Sequence, residues 1–134
     1  MLQAVFYEDH HFVSVQKALS PTGSWPWAEL RARIKLADGA VDADHRIVAH
    51  LRAWSSSVSV VQESAELLPS SDWQTLSCRI DKARAALSQV PFDRSAVNSY
   101  ELVLRVSARE PGVVWPSEPT IAWVDSFELV ELSP

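Results

Sequence analysis

Residues 28–36 read Ala28-Glu29-Leu30-Arg31-Ala32-Arg33-Ile34-Lys35-Leu36. Ala28, Leu30, Ala32, Ile34 and Leu36 share one parity; Glu29, Arg31, Arg33 and Lys35 share the other. An extended strand puts the apolar set on one face and all four charges in water. A helix would spread those charges around its circumference. The segment is therefore a half-buried strand. Its charged row solvates the outer face and resists edge-to-edge association. Asp38-Gly39 follows as a turn.

The same period of two extends in both directions. In Arg46 to Trp54, Ile47, Ala49, Leu51 and Ala53 point inward, and Arg46, Val48, His50, Arg52 and Trp54 outward. Trp73 to Ile80 places Leu76, Cys78 and Ile80 on the core side, and Asn98 to Ser107 does so with Tyr100, Leu102, Leu104 and Val106. From Thr120 to Leu132 the parity breaks near Asp125-Ser126. Val124 and Phe127 both look buried, and a bulge between them reconciles the two. Leu2 to Tyr7 and Phe12 to Lys17 read as two strands at the front, and Val58 to Val61 as a short one. Glu63 to Leu68 reads as a helical turn before Pro69. Asp81 is an N-cap for Lys82 to Leu87, a helical insertion that Pro91 stops. The sum is an all-β antiparallel fold of about eight strands with one short helical insertion, a sandwich in preference to a closed barrel.

The 134 residues make one domain, 1–134, long enough for a core without staples. With 12 basic against 17 acidic residues the net charge is −5, which argues against a nucleic-acid partner bound through phosphate neutralisation. A single cysteine, Cys78, excludes an internal disulfide and cysteine-rich metal sites. It has core parity and reads as an inert buried thiol. No apolar run is long enough for helical membrane insertion. Met1-Leu2-Gln3-Ala4 lacks a signal-peptide pattern, so an extracellular place is expected only as part of a secreted parent.

Four segments, in order, resemble the galactose-binding-like jelly rolls, in particular carbohydrate-binding modules found beside glycoside hydrolases. They are Trp27-Ala28-Glu29-Leu30-Arg31-Ala32-Arg33-Ile34, Asp72-Trp73-Gln74-Thr75-Leu76-Ser77, Tyr100-Glu101-Leu102-Val103-Leu104-Arg105 and Ala122-Trp123-Val124-Asp125-Ser126-Phe127-Glu128-Leu129. The resemblance implies a jelly-roll β-sandwich, a glycan ligand and structural calcium at Asp125. The family's Asn-Gly-x-Phe-Glu opening is absent here, and Ser126 replaces the second acid of the closing pair.

Sugar rings stack their C–H faces on indole rings, and six tryptophans in 134 residues exceed ordinary usage. Trp25, Trp27 and Trp115 fall in or beside Pro- and Gly-containing loops, where they either cap the open ends of the core or touch ligand. Trp54 and Trp123 have non-core parity. If their strands share a sheet, they form a cleft with His50 and Arg52. Trp73 reads as packing. Glu8-Asp9-His10-His11 is a solvated turn or, through Glu8 and Asp9, a carboxylate partner for Asp125 in a calcium site. Asp42 and Asp44 are the other candidate partners. No nucleophile elbow or phosphate loop is present, and His50 is the one histidine retained as a candidate base.

The first expectation is a non-catalytic carbohydrate-binding module. The second is a structural or assembly domain packing against other domains or subunits. The third is a small enzyme with a cavity in a sandwich or barrel.

Overall fold

The computed structural model describes residues 2–7, 11–18, 27–42, 44–55, 58–87, 97–112 and 120–132. Eight strands and one short helix run in the order β1 (Leu2–Phe6), β2 (Phe12–Ala18), β3 (Ala28–Leu36), β4 (His45–Ser55), β5 (Val58–Glu66), β6 (Gln74–Ile80), α1 (Lys82–Ala86), β7 (Ser99–Ala108) and β8 (Thr120–Glu131) among these residues. Two four-stranded antiparallel sheets form, with orders β1-β8-β3-β6 and β2-β7-β4-β5. The pairs β1–β8, β2–β7, β3–β6 and β4–β5 are those of one long hairpin, wound so that β3 also meets β8 and β4 meets β7. This is a jelly-roll sandwich.

Strand β3 matches its sequence reading at both ends. Leu30, Ala32 and Ile34 are fully buried, while Arg31 and Arg33 are exposed. They pack with Phe6, Ala122 and Phe127 of the same sheet against Ile47, Leu51, Leu102, Leu104 and Val106 of the other. Apolar area removed from water stabilises the fold at about 25 cal/mol per Å², so the alternation in sequence is the source of the two-layer architecture. The inner faces use many alanines, among them Ala32, Ala49, Ala53 and Ala122.

The bulge in β8 lies where parity put it. Ser126 faces Arg33 and Val124 faces Ile34, leaving Asp125 as the extra residue. Both Val124 and Phe127 therefore turn inward. A second irregularity separates Ala53↔Val61 from Trp54↔Ser59, and Val60 and Val61 are both buried. Asp81 caps α1 by accepting from the Arg84 backbone N–H at 2.9 Å. Arg84 then ties the helix to β5 through the Gln62 carbonyl at 2.8 Å and the Glu63 carboxylate at 3.1 Å.

One local expectation is overturned. Residues 63–66 form no helical turn; they continue β5, with Glu63 opposite Leu51 and Glu66 opposite Val48. Helix propensity is a weak preference, and ladder hydrogen bonds to β4 override it here.

Candidate functional site

The parity of β4 sets the candidate site. Ile47, Ala49, Leu51 and Ala53 take the core side, so Arg46, Val48, His50, Arg52 and Trp54 line the outer face of the second sheet. Strand register brings neighbours beside them. Arg105 lies opposite Val48, Val103 opposite His50, Glu101 opposite Arg52 and Ser99 opposite Trp54. Across the other edge of β4, Glu66, Ser64, Gln62 and Ser59 take the matching places. Strand β2 adds Phe12, Ser14 and Gln16 beyond Arg105, Val103 and Glu101. Directly opposite residues in such a ladder are about 5 Å apart and diagonal ones about 7–8 Å.

These side chains bond to one another. Trp54 Nε1 donates to Glu101 Oε1 at 3.1 Å, and Arg52 Nη1 reaches the same oxygen at 3.5 Å. Arg52 Nε donates to Gln62 Oε1 at 2.7 Å, and Gln62 Nε2 donates to Ser64 Oγ at 3.2 Å. Ser64 Oγ and His50 Nδ1 share a hydrogen bond of 2.6 Å. One continuous network thus runs from Trp54 to His50 over three strands. Glu101 is its hub; its side chain is only 13% exposed. The His50 imidazole has its pKa held below 6.5, first by partial burial and then by the charges of Arg52 and Arg105.

The opposite outer face, on the first sheet, carries the charged row of β3. Trp123 stands there, half-buried, between Gln3 of β1 and Lys35 of β3. Trp73 packs on that outer face too, not in the core, with Arg33 Cζ 4.6 Å and Lys35 Nζ 5.9 Å from its ring centroid. The shared cleft of Trp54, His50, Arg52 and Trp123 does not exist. Strands β4 and β8 belong to different sheets, whose outer faces look in opposite directions.

Asp125 is exposed at the bulge, and its Oδ2 accepts from Arg33 Nη1 at 2.8 Å. No group of three or more His, Cys, Asp or Glu side chains able to hold a metal ion occurs among the described residues. Asp42 is occupied otherwise: its Oδ1 accepts from the backbone N–H groups of Asp44 and His45 and meets His45 Nδ1 at 3.0 Å. Burial raises the Asp42 pKa, but those bonds outweigh it and hold the carboxyl below its usual value. Trp27 is half-buried at the start of β3, where its carbonyl accepts from the Leu132 N–H at 2.8 Å. Trp25, Trp115, Glu8 and Asp9 lie outside the described residues.

Cys78 is buried on the inner face, as its parity predicts, and its thiol pKa is pushed up to about 11, chiefly by burial. A groove of about 430 Å³ opens between β2 and the β1–β8 edge, lined by Leu2, Val13, Val15, Val124 and Phe127 with Lys17 and Asp125 beside them. Lys17 Nζ donates to the Phe127 carbonyl there. No helix among the described residues is long and apolar enough to cross a membrane.

Parity alone found His50, Arg52 and Trp54. Parity also turns Glu101 outward, but it does not mark Glu101, Gln62 or Ser64 as site residues, because a lone polar residue on an outward face has no local signal. Only strand pairing converts it into a neighbour. The chain matches no family model, no curated protein and no solved structure, so the site rests on its own geometry.

Proposed function

We propose that this domain is a non-catalytic carbohydrate-binding module that holds a glycan on the outer face of the second sheet. The observation that carries the reading is the network from Trp54 through Glu101, Arg52, Gln62 and Ser64 to His50. A half-buried indole offers a flat apolar surface for a sugar ring. The planar amide, guanidinium, imidazole and carboxylate groups beside it match the donor and acceptor pattern of sugar hydroxyls. Mutual hydrogen bonds fix those groups before a ligand arrives, which lowers the entropic cost of binding. An open sheet face desolvates many hydroxyls for small net gain, so the affinity is modest. Such a module works by tethering a partner to a polymer and raising its local concentration. The four segments that resemble galactose-binding-like jelly rolls support the same reading.

Tryptophan fluorescence during titration with a panel of soluble glycans tests it, using wild type, Trp54→Ala and Trp123→Ala. A saturable shift that disappears in Trp54→Ala and persists in Trp123→Ala supports this face. Loss only in Trp123→Ala moves the site to the opposite sheet. Silence across the panel from folded, monodisperse protein rejects the glycan reading for those sugars.

A second reading, an assembly domain, is favoured by the apolar groove between β2 and the β1–β8 edge. Leu2, 41% exposed, lines it. This reading expects a solution mass above that of one chain, with Leu2→Ser restoring the monomer.

A further inference from the structure

The two outer faces treat their arginines differently. On the first sheet Arg31 pairs with Glu29 at 2.8 Å and Arg33 with Asp125 at 2.8 Å; beside them Arg79 meets Asp81 at 3.1 Å. On the second sheet the carboxylates are already engaged. Glu101 serves Trp54 and Arg52, and Glu66 binds Arg109 at 2.7 Å. Arg46 and Arg105 are both exposed, and neither has a carboxylate within ion-pair distance among the described residues. They stand on adjacent strands, because Arg105 faces Val48 and Arg46 faces Ser107, which makes the two diagonal neighbours.

Each guanidinium is steadied without being neutralised. Arg46 Nε donates to Ser107 Oγ at 3.0 Å, which leaves both terminal nitrogens for a ligand. Arg105 lies over the Phe12 ring with its Cζ 5.5 Å from the centroid, a cation–π contact that keeps the charge. His50 sits diagonally across from Arg105, on the side toward Trp54. A row of donors therefore leads from the indole to two cations with no ion-pair partner among the described residues, on a chain whose net charge is −5. Like charges held this close repel unless an anion comes between them.

We infer that the glycan bound on this face is acidic, a carboxylate- or sulfate-bearing polysaccharide whose charged groups are held by Arg46 and Arg105. The inference rests on the glycan reading and deepens it. The guanidinium fork fits both anions, since each presents paired oxygens to two parallel N–H groups. Trp54 and the Glu101–Arg52–Gln62 row take the sugar ring, and the arginines select for charge.

The test compares matched polymers: polygalacturonate against its methyl-esterified form, and a sulfated galactan against its desulfated form. A single-stranded oligothymidylate serves as the non-sugar anion. Binding is followed by tryptophan fluorescence and calorimetry for wild type and the double variant Arg46→Gln, Arg105→Gln. The expected result is a roughly ten-fold preference for one acidic form over its neutral match, lost in the double variant. That preference also weakens in wild type as ionic strength rises from about 0.01 M to about 0.15 M, which keeps the test valid should the double variant misfold. Which acidic arm responds separates carboxylate from sulfate recognition. Equal affinity for charged and neutral forms overturns the acidic preference while the glycan reading stands. Binding to none of the sugars overturns both, as does tighter binding of the oligonucleotide than of any glycan.

Discussion

The Trp54 indole N–H and the Glu101 carboxylate meet at 3.1 Å across the β4–β7 pair, on a diagonal two residues out of direct register. Arg52, directly opposite Glu101, converges on the same oxygen. One acceptor thus fixes both the aromatic surface and the cation beside it. Glu101→Ala leaves two half-buried donors without that acceptor, and an unsatisfied buried group costs about 1–3 kcal/mol. Glu101→Gln keeps a carbonyl oxygen in place and costs about 1 kcal/mol or less. Chemical denaturation of the two variants measures the difference. Equal losses would mean that a neutral acceptor oxygen cannot hold these two donors; negligible loss in both would mean that Glu101 does not organise this corner of the sheet.

His50 titrates below 6.5 in the folded state, with partial burial the larger cause and Arg52 and Arg105 adding to it. It faces Ser64 on β5, Val103 on β7, and Arg52 along its own strand. The folded protein therefore binds fewer protons here than the unfolded chain at pH values just below 6.5. The stabilising contribution is present above about pH 6.5 and is lost as pH falls from there toward the folded-state value. Nuclear magnetic resonance titration of the His50 ring should give a midpoint below 6.5, shifted upward by Arg105→Ala. A midpoint above 6.5 would contradict the cationic surroundings.

The Cys78 thiol, raised from 9.0 to about 11, should resist modification in the native state. A shift of two units lowers the thiolate fraction roughly a hundred-fold before any steric protection counts. Ellman's reagent at pH 8 should react slowly with native protein and rapidly after denaturant is added. Prompt native reaction would mean that the core opens readily around β6.

Asp125 and Arg33 predict indifference to calcium. The carboxylate is exposed and already bonded to a cation, so Asp125→Ala should cost about 1 kcal/mol or less. Thermal unfolding with calcium and then with a chelator should give the same midpoint. A midpoint raised by several degrees in calcium would show that Asp125 exchanges Arg33 for a metal.

The fold is legible in the sequence where one strand's own periodicity carries the information. Strand β3 came out to the residue, and the β8 bulge followed from the clash between Val124 and Phe127 parity. It is not legible where the deciding partner lies far along the chain. Glu63 to Glu66 join β5 because β4 offers a ladder, not because of their own propensity. Trp73 does pack, as its reading has it, but its face is set by Arg33 and Lys35, on a strand some forty residues earlier.

By itself the sequence determined which residues face inward and which face water, because a strand's alternation is a local property of the backbone. That was enough for a two-layer all-β domain with Cys78 inside and with Trp54, Arg52 and His50 on one surface. Parity carries no information about which sheet a strand joins. The tertiary structure alone placed Trp54 and Trp123 on opposite sides of the sandwich and brought Glu101 under Trp54. It alone left Arg46 and Arg105 without a carboxylate in ion-pair distance among the described residues, because strand pairing distant in sequence decides which charges become neighbours.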